Sequence, residues 1–181
     1  MSLSEYAIVT LTEAKNFLRI DGNDDDASLE LMIEMATEKT EDYCSSYWVK
    51  RSVTETHIGD GKTYLYLYRT PIESIESVIV DGVELEDGDY VELLAIGRLT
   101  GRIWAKDSVI VVSYTAGYAG SYGEIAIPNA AKLAVLNAVA VWWNNRTGVT
   151  GESISGIGSV TYGNEEELPN SVKAKLSSLR K

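Results

Sequence analysis

The residues best spaced to do chemistry lie in "RIDGNDDDASLE", residues 19–30. Asp21, Asn23 and Asp25 occupy the first, third and fifth places of a calcium loop. The sixth place calls for Gly and holds Asp26, and the twelfth calls for a bidentate Glu and holds Met32. Without the sharp turn and the last ligand the loop is better read as a helix start. Asp24, Asp25 or Asp26 caps the helix that follows, and the other acids, Asp21 among them, favour its positive end. "GDGKT", residues 59–63, ends like a phosphate loop, but Thr56 stands where the first Gly should be and "YLYLY", a strand, follows where a helix is required. It reads as a hairpin turn. His57 is the only histidine and Cys44 the only cysteine. Neither a catalytic triad nor a zinc site can be assembled from one of each on different elements. Both read as packing or surface positions. No catalytic residue, metal site or cofactor is expected.

Composition limits the remaining classes. The chain has 181 residues, 45% of them hydrophobic, and a net charge of −11. A substantial core is expected, in one domain or one domain with a large insertion. Proteins that grip nucleic acid need clustered Lys and Arg, so tight phosphate binding is disfavoured. The opening "MSLSEYAIVTL" lacks the basic region and apolar run of a signal peptide. The most apolar stretch, residues 130–143, is interrupted by Lys132 and Asn137 and falls short of the ~18–20 residues that span a bilayer. A soluble protein made in a reducing cytoplasm is expected, with no membrane association, and the Asn145-Arg146-Thr147 sequon is then a chance match.

The elements that must position these residues follow from periodicity. Thr10 and Glu13 have capping-box spacing, and Leu11, Ala14, Phe17 and Leu18 share a face, predicting a short helix over about 11–19. Leu29, Ile33, Ala36, Thr40, Tyr43 and Tyr47 step by four and three, predicting a long amphipathic helix over about 26–47. From Arg51 the period becomes two. Tyr64, Tyr66 and Tyr68 share one strand face, and "SIESVIVDGVEL" reads as strand, Asp81-Gly82 turn, strand. Residues 51–116 are expected to form a small antiparallel β module of six or seven strands. Pro128 opens a helix to about Asn145 that is apolar almost all round, as helices buried within a subunit or against a neighbour are. Residues 147–167 have the Gly, Ser and Thr spacing of a mobile arm. A basic helix begins near Pro169. The expected fold class is α+β: residues 1–50 helical, 51–116 the inserted β module, 117–146 the third core helix, 147–181 the arm and terminal helix.

"TLTEAKNFLRIDGNDDDASLELMIEMATEKTEDYC" resembles the N-terminal signature of the phage head–tail connector, or neck adaptor, family. Leu11, Glu13, Ala14, Lys15, Leu18, Arg19 and Asp21 match, followed by the acids Asp24 to Asp26. "VIVVSYTAGYA" is similar to the closing strand and Gly-Tyr turn of longer members. "IPNAAKLAVLNAVAVWWNNR" is similar to their third helix, with Pro128, Ala131, Ala134, Trp142, Asn145 and Arg146 corresponding, and "ELPNSVKAKLSSLRK" to their terminal segment, with Leu168, Pro169 and Leu176. Compact members are nearly all helical; this chain departs from them by its β module, as longer members do.

The resemblance implies a structural virion protein at the head–tail interface, without catalysis. It implies a homo-oligomeric ring, usually of twelve, bound to the portal on one side and to a stopper or tail-completion protein on the other. DNA would pass through the lumen without specific binding. Leu176, Leu179, Arg180 and Lys181 are the candidate portal-docking residues, as the basic, Leu-bearing end of an arm that orders on contact; the alternative is a tail that packs on its own subunit. Trp142, Trp143, Tyr64, Tyr66 and Tyr68 are candidates for the subunit interface. The acidic excess either lines the lumen and repels DNA or is plain solubility charge. A rival reading is a non-enzymatic binding module, with Tyr64, Tyr66, Tyr68 and Trp104 as an aromatic platform for a carbohydrate or other small ligand.

Overall fold

The computed structural model describes residues 3–118, 126–145, 149–153, 159–162 and 168–180. The chain is mixed α and β and divides into two compact units, Met1–Cys44 with Pro128–Lys181, and Ser45–Ile127.

The first unit is built on helices. α1, Leu11–Leu18, is held at its start by a reciprocal cap: the Glu13 N–H donates to Thr10 Oγ1 at 3.1 Å, and the Thr10 N–H donates to Glu13 Oε2 at 2.8 Å. Arg19, at φ 57°, ends it in the left-handed region. α2, Asp26–Cys44, buries Leu29, Ile33, Ala36, Thr37, Thr40, Glu41 and Cys44. It stops three residues short of its predicted end. Ser45 takes φ 52°, which breaks the helical path, and Ser46 forms a β-bridge with Thr70. Tyr47 therefore leaves the helical stripe and joins the second unit. α3, Asn129–Asn144, follows Pro128 at its N-cap and buries Ala131, Ala134, Val135, Ala138 and Val139. Small residues dominate that face, which lets a helix axis approach closely. α4, Asn170–Leu176, buries Val172 and Leu176. α2 packs on α3, α3 on α4, and α1 on both α2 and α3.

Within the span read as a mobile arm, the described residues are strands. β8, Val149–Ser153, pairs antiparallel with β9, Ser159–Tyr162. Gly and Ser content outweighed a weak local preference: Val149, Thr150, Val160, Thr161 and Tyr162 are strand formers.

The strands of the second unit pair antiparallel throughout, with one isolated parallel bridge at Ser46–Thr70. β1 (Arg51–Ile58), β2 (Tyr64–Tyr66), β3 (Ile72–Val80), β4 (Val83–Glu84), β5 (Val91–Leu93), β6 (Arg98–Thr100) and β7 (Val109–Ala116) form two sheets. Their orders are β1-β7-β3-β4 and β2-β6-β5. β7 is central because its alternation is complete: Ile110, Val112, Tyr114 and Ala116 all point inward and are buried. It pairs with β1 in unbroken register, Arg51 opposite Ala116 to Ile58 opposite Val109. Its pairing with β3 slips at Ile72/Ser74 and again at Ile75/Ser77. Asp81 and Gly82, at φ 51° and 84°, make the tight turn from β3 to β4 that the sequence announces, and Asp81 Oδ1 accepts the Val109 N–H at 2.8 Å. The core of this unit gathers Leu67, Ile72, Val78, Leu99 and Trp104 around the β7 residues.

Candidate assembly surfaces and the buried polar cluster

The acidic loop serves the helical unit as a link. Lys15 Nζ donates to Asn23 Oδ1 at 2.9 Å and to Asp26 Oδ1 at 2.7 Å, tying α1 to the first turn of α2. The Asp25 carbonyl accepts the Leu29 N–H at 3.0 Å. Among the described residues no group of three or more His, Cys, Asp or Glu could hold a metal ion. Asp21 and Asp24 are exposed. "GDGKT" is a turn between β1 and β2, with Lys62 Nζ 2.6 Å from Asp60 Oδ2. Cys44 is fully buried, and burial pushes its thiol up to about 11, so it stays protonated and inert.

The β2-β6-β5 sheet carries the main exposed aromatic surface of the second unit. Its register sets Tyr64, Thr100 and Val91 across from one another, and likewise Tyr66, Arg98 and Leu93. These six side chains share one face, while Leu65 and Leu99 turn to the core side. Tyr66 and Val91 are about half exposed, the Tyr64 and Tyr66 rings meet edge-on at 5.5 Å, and the Arg98 guanidinium lies 5.9 Å from the Tyr66 ring. Arg98 Nε has no hydrogen-bond partner among the described residues.

Two residues expected on this platform are elsewhere. Trp104 is 1% exposed and belongs to the core, so it offers no ring to a ligand. The platform reading loses its largest aromatic for this reason. Tyr68 lies beyond the end of β2, and its ring stacks on His57 at 4.6 Å. A β2 of only three residues cannot carry a third tyrosine on the same face.

Sequence reasoning missed the polar cluster at the centre of the second unit. Glu55 and His57, both on the inward face of β1, are buried, as is Tyr114 on β7, which faces Val53 and reaches Glu55 diagonally. Glu55 Oε1 accepts the Tyr114 hydroxyl, Oε2 meets His57 Nε2 at 3.0 Å, and the Tyr68 N–H donates to Oε2 at 3.0 Å. The Arg69 N–H in turn donates to the Tyr114 hydroxyl oxygen at 3.1 Å. Burial alone pushes the Glu55 carboxyl up, but the hydrogen bonds from His57, Tyr114 and Tyr68 outweigh it and hold it below the usual carboxylate range. Burial and the Glu55 hydrogen bond push the Tyr114 phenol up. The signal was present in the sequence: Glu55 and His57 stand two apart in a strand, hence on one face. The cluster ties β1 and β7 to the Tyr68–Arg69 segment that follows β2. Nearby, the Tyr47 ring is flanked by the guanidiniums of Arg51 at 4.1 Å and Arg69 at 4.7 Å.

The candidate docking residues at the C-terminus separate by burial. Leu176 is fully buried in the helical unit and is not available at the surface. Its place on the inward face of α4, four residues after Val172, commits it to its own subunit. Leu179 is half-buried and Arg180 exposed, its guanidinium 5.1 Å from the Tyr43 ring. Lys181 lies outside the described residues. Trp142 and Trp143 are half-buried at the end of α3.

Residues 7–181 match the family described as "HCP: Head completion protein". The chain belongs to the head completion protein family. Its membership accords with the resemblance to phage head–tail connector proteins. The fold agrees with solved structures at low sequence identity. One is from the neck of an empty gene transfer agent particle computed with C6 symmetry: TM-score 0.65, 17% identity, covering 99% of this chain and 93% of that one. A second is from the virion of a native gene transfer agent particle: TM-score 0.66, 15% identity, covering 99% and 92%. A third is from the neck of a native particle computed with C12 symmetry: TM-score 0.58, 16% identity, covering 99% and 95%. No curated protein matches the chain at a significant level. Among the described residues of this head completion family member, no helix is long and apolar enough to cross a membrane.

Proposed function

We propose that the chain is a structural subunit of a virion neck, with no enzymatic role. Its helical unit is the connector core, and the β unit is an insertion between α2 and α3. Copies form a ring, of twelve in the particle, that joins the portal to a stopper or tail-completion protein and lets DNA pass through its lumen. The carrying observation is the head completion family match over residues 7–181, which spans both units. The likeness to neck proteins solved with six-fold and twelve-fold symmetry supports the ring. The exposed face of Tyr64, Tyr66 and Val91 and the half-buried Trp142 and Trp143 supply apolar surface of the kind that subunit or partner contacts cover. Electron microscopy of the chain mixed with its portal is the test. Rings seated on the portal are expected; a chain that stays monomeric beside intact portals sinks the reading.

Two finer assignments belong to this reading. Portal docking by the C-terminus now rests on Leu179, Arg180 and Lys181. The double variant Leu179→Asp, Arg180→Glu is expected to lose portal capture while keeping its helical circular dichroism, and undiminished capture would remove the assignment. The net charge of −11 fits a lumen that repels DNA over about a Debye length of ~8–10 Å. Assembled rings are expected to show no DNA affinity at physiological salt. Tight binding with a steep salt slope would contradict the lumen assignment.

A further inference from the structure

Among the described residues of the helical unit, two partly apolar helix ridges are exposed. On α2 the inward residues are Leu29, Ile33, Ala36, Thr40 and Cys44. Leu31, Met35, Glu38 and Asp42 step by four, three and four on the opposite side, all exposed, Leu31 at 55%. On α3 the inward residues are Ala131, Ala134, Val135, Ala138 and Val139. Leu133, 44% exposed, heads the opposite side, followed by the half-buried Leu136 and Ala140. α2 and α3 pack on each other through their inward faces. Their outer ridges therefore point away from one another, on different sides of the unit.

The two ridges also differ in charge. The α2 ridge is acidic on balance, with Glu38 and Asp42 on it, Glu34 on one flank and Lys39 on the other. α3 has no acid over its whole length, and its one charged residue is Lys132. Two α2 ridges carry like net charge, whereas the α3 ridge carries none of its own, and on its flank Lys132 Nζ lies 3.9 Å from Glu13 Oε1 of α1, a paired cation and acid.

We propose that a second copy of this chain covers these ridges, the α2 ridge of one subunit lying against the α3 ridge of the next. The contact joins two different patches, so it propagates head to tail and closes into a ring when the rotation allows. This rests on the neck-ring reading and specifies the surface that builds the ring. Leu31 and Met35 meet Leu133, Leu136 and Ala140 at its centre, and Glu38 approaches the Lys132 side.

Chemical cross-linking tests it directly, because the only native thiol, Cys44, is fully buried and unreactive. Met35→Cys and Leu133→Cys each replace an exposed side chain, which leaves folding intact. With the full chain assembled on portal-bearing heads, a short bis-maleimide is expected to give a ladder of covalent multimers from the double variant and only monomer from either single variant. A ladder or dimer from either single variant alone means that like meets like and overturns the proposal. Rings visible by electron microscopy in the double variant without a ladder also overturn it, leaving the ring itself standing. Failure of the unmodified chain to form rings at all overturns the ring reading and this contact with it. Charge gives a second readout. Leu133→Glu is expected to reduce incorporation into particles at least ~10-fold by facing the acidic ridge, while Leu133→Lys keeps it. Equal incorporation of the two variants counts against the contact.

Discussion

Glu55→Ala is expected to destabilise the β unit by about 3–5 kcal/mol, the sum of leaving several buried donors without their shared acceptor at about 1–3 kcal/mol each. The carboxylate is the shared acceptor for three donors, the Tyr114 hydroxyl, the Tyr68 N–H and His57 Nε2. Truncation leaves all three without their shared acceptor in a largely buried site, and each unpaired polar group adds its own desolvation cost. Urea unfolding followed by tryptophan fluorescence reads the change, since Trp48 and Trp104 are fully buried in this unit. A loss below about 1 kcal/mol would mean that the cluster is replaceable. Glu55→Gln separates charge from shape, and the sign of its pH dependence is fixed. The folded carboxyl titrates below its unfolded value, so its contribution is fully present above about pH 4.5 and is lost as pH falls through the folded value. The wild type should therefore lose stability over that acid range more steeply than Glu55→Gln.

Gly59→Ala is expected to cost about 3 kcal/mol, at the upper end for overpacking a tight site. A Cβ there would stand 1.9 Å from the Ala105 carbonyl oxygen and 2.5 Å from Ser108 Oγ. The backbone cannot give way cheaply, because hydrogen bonds hold Gly59 on both sides. Its N–H donates to Ser108 O at 2.8 Å, and its carbonyl accepts the Asp107 N–H at 2.9 Å. Gly61→Ala is the control. It has open space around it but φ +81°, so its cost is the ~1–2 kcal/mol of left-handed backbone alone. Thermal unfolding of both variants checks the order; a Gly59→Ala chain as stable as Gly61→Ala would show that the Ala105 loop moves freely.

Much of the local architecture was legible before any coordinates. The Thr10–Glu13 cap, the Asp81-Gly82 hairpin, the strands between residues 51 and 116 and the helix after Pro128 all follow from spacing and turn chemistry. These are short-range effects, decided by neighbours within a few positions. The errors came where a local pattern met a non-local partner. Tyr47 continues the stripe of α2 by spacing, yet a left-handed Ser45 turns the chain out of the helix and Ser46 bridges to Thr70. Leu176 looked like the greasy end of a docking tail and is instead a core residue. Trp104 looked like a platform ring and is buried beneath its sheet.

By itself, then, the sequence determined most element types outside residues 147–167, the acidic helix start at Asp24–Asp26 and a resemblance to neck proteins. The physical reason is that caps, turns and periodicity act along the chain, where spacing is visible. Only the tertiary structure decided which tyrosines face out, that Glu55, His57 and Tyr114 meet from β1 and β7, and that the exposed ridges of α2 and α3 lie on different sides of one unit. Burial and charge pairing depend on residues dozens of positions apart, and folding alone brings those within a few ångströms.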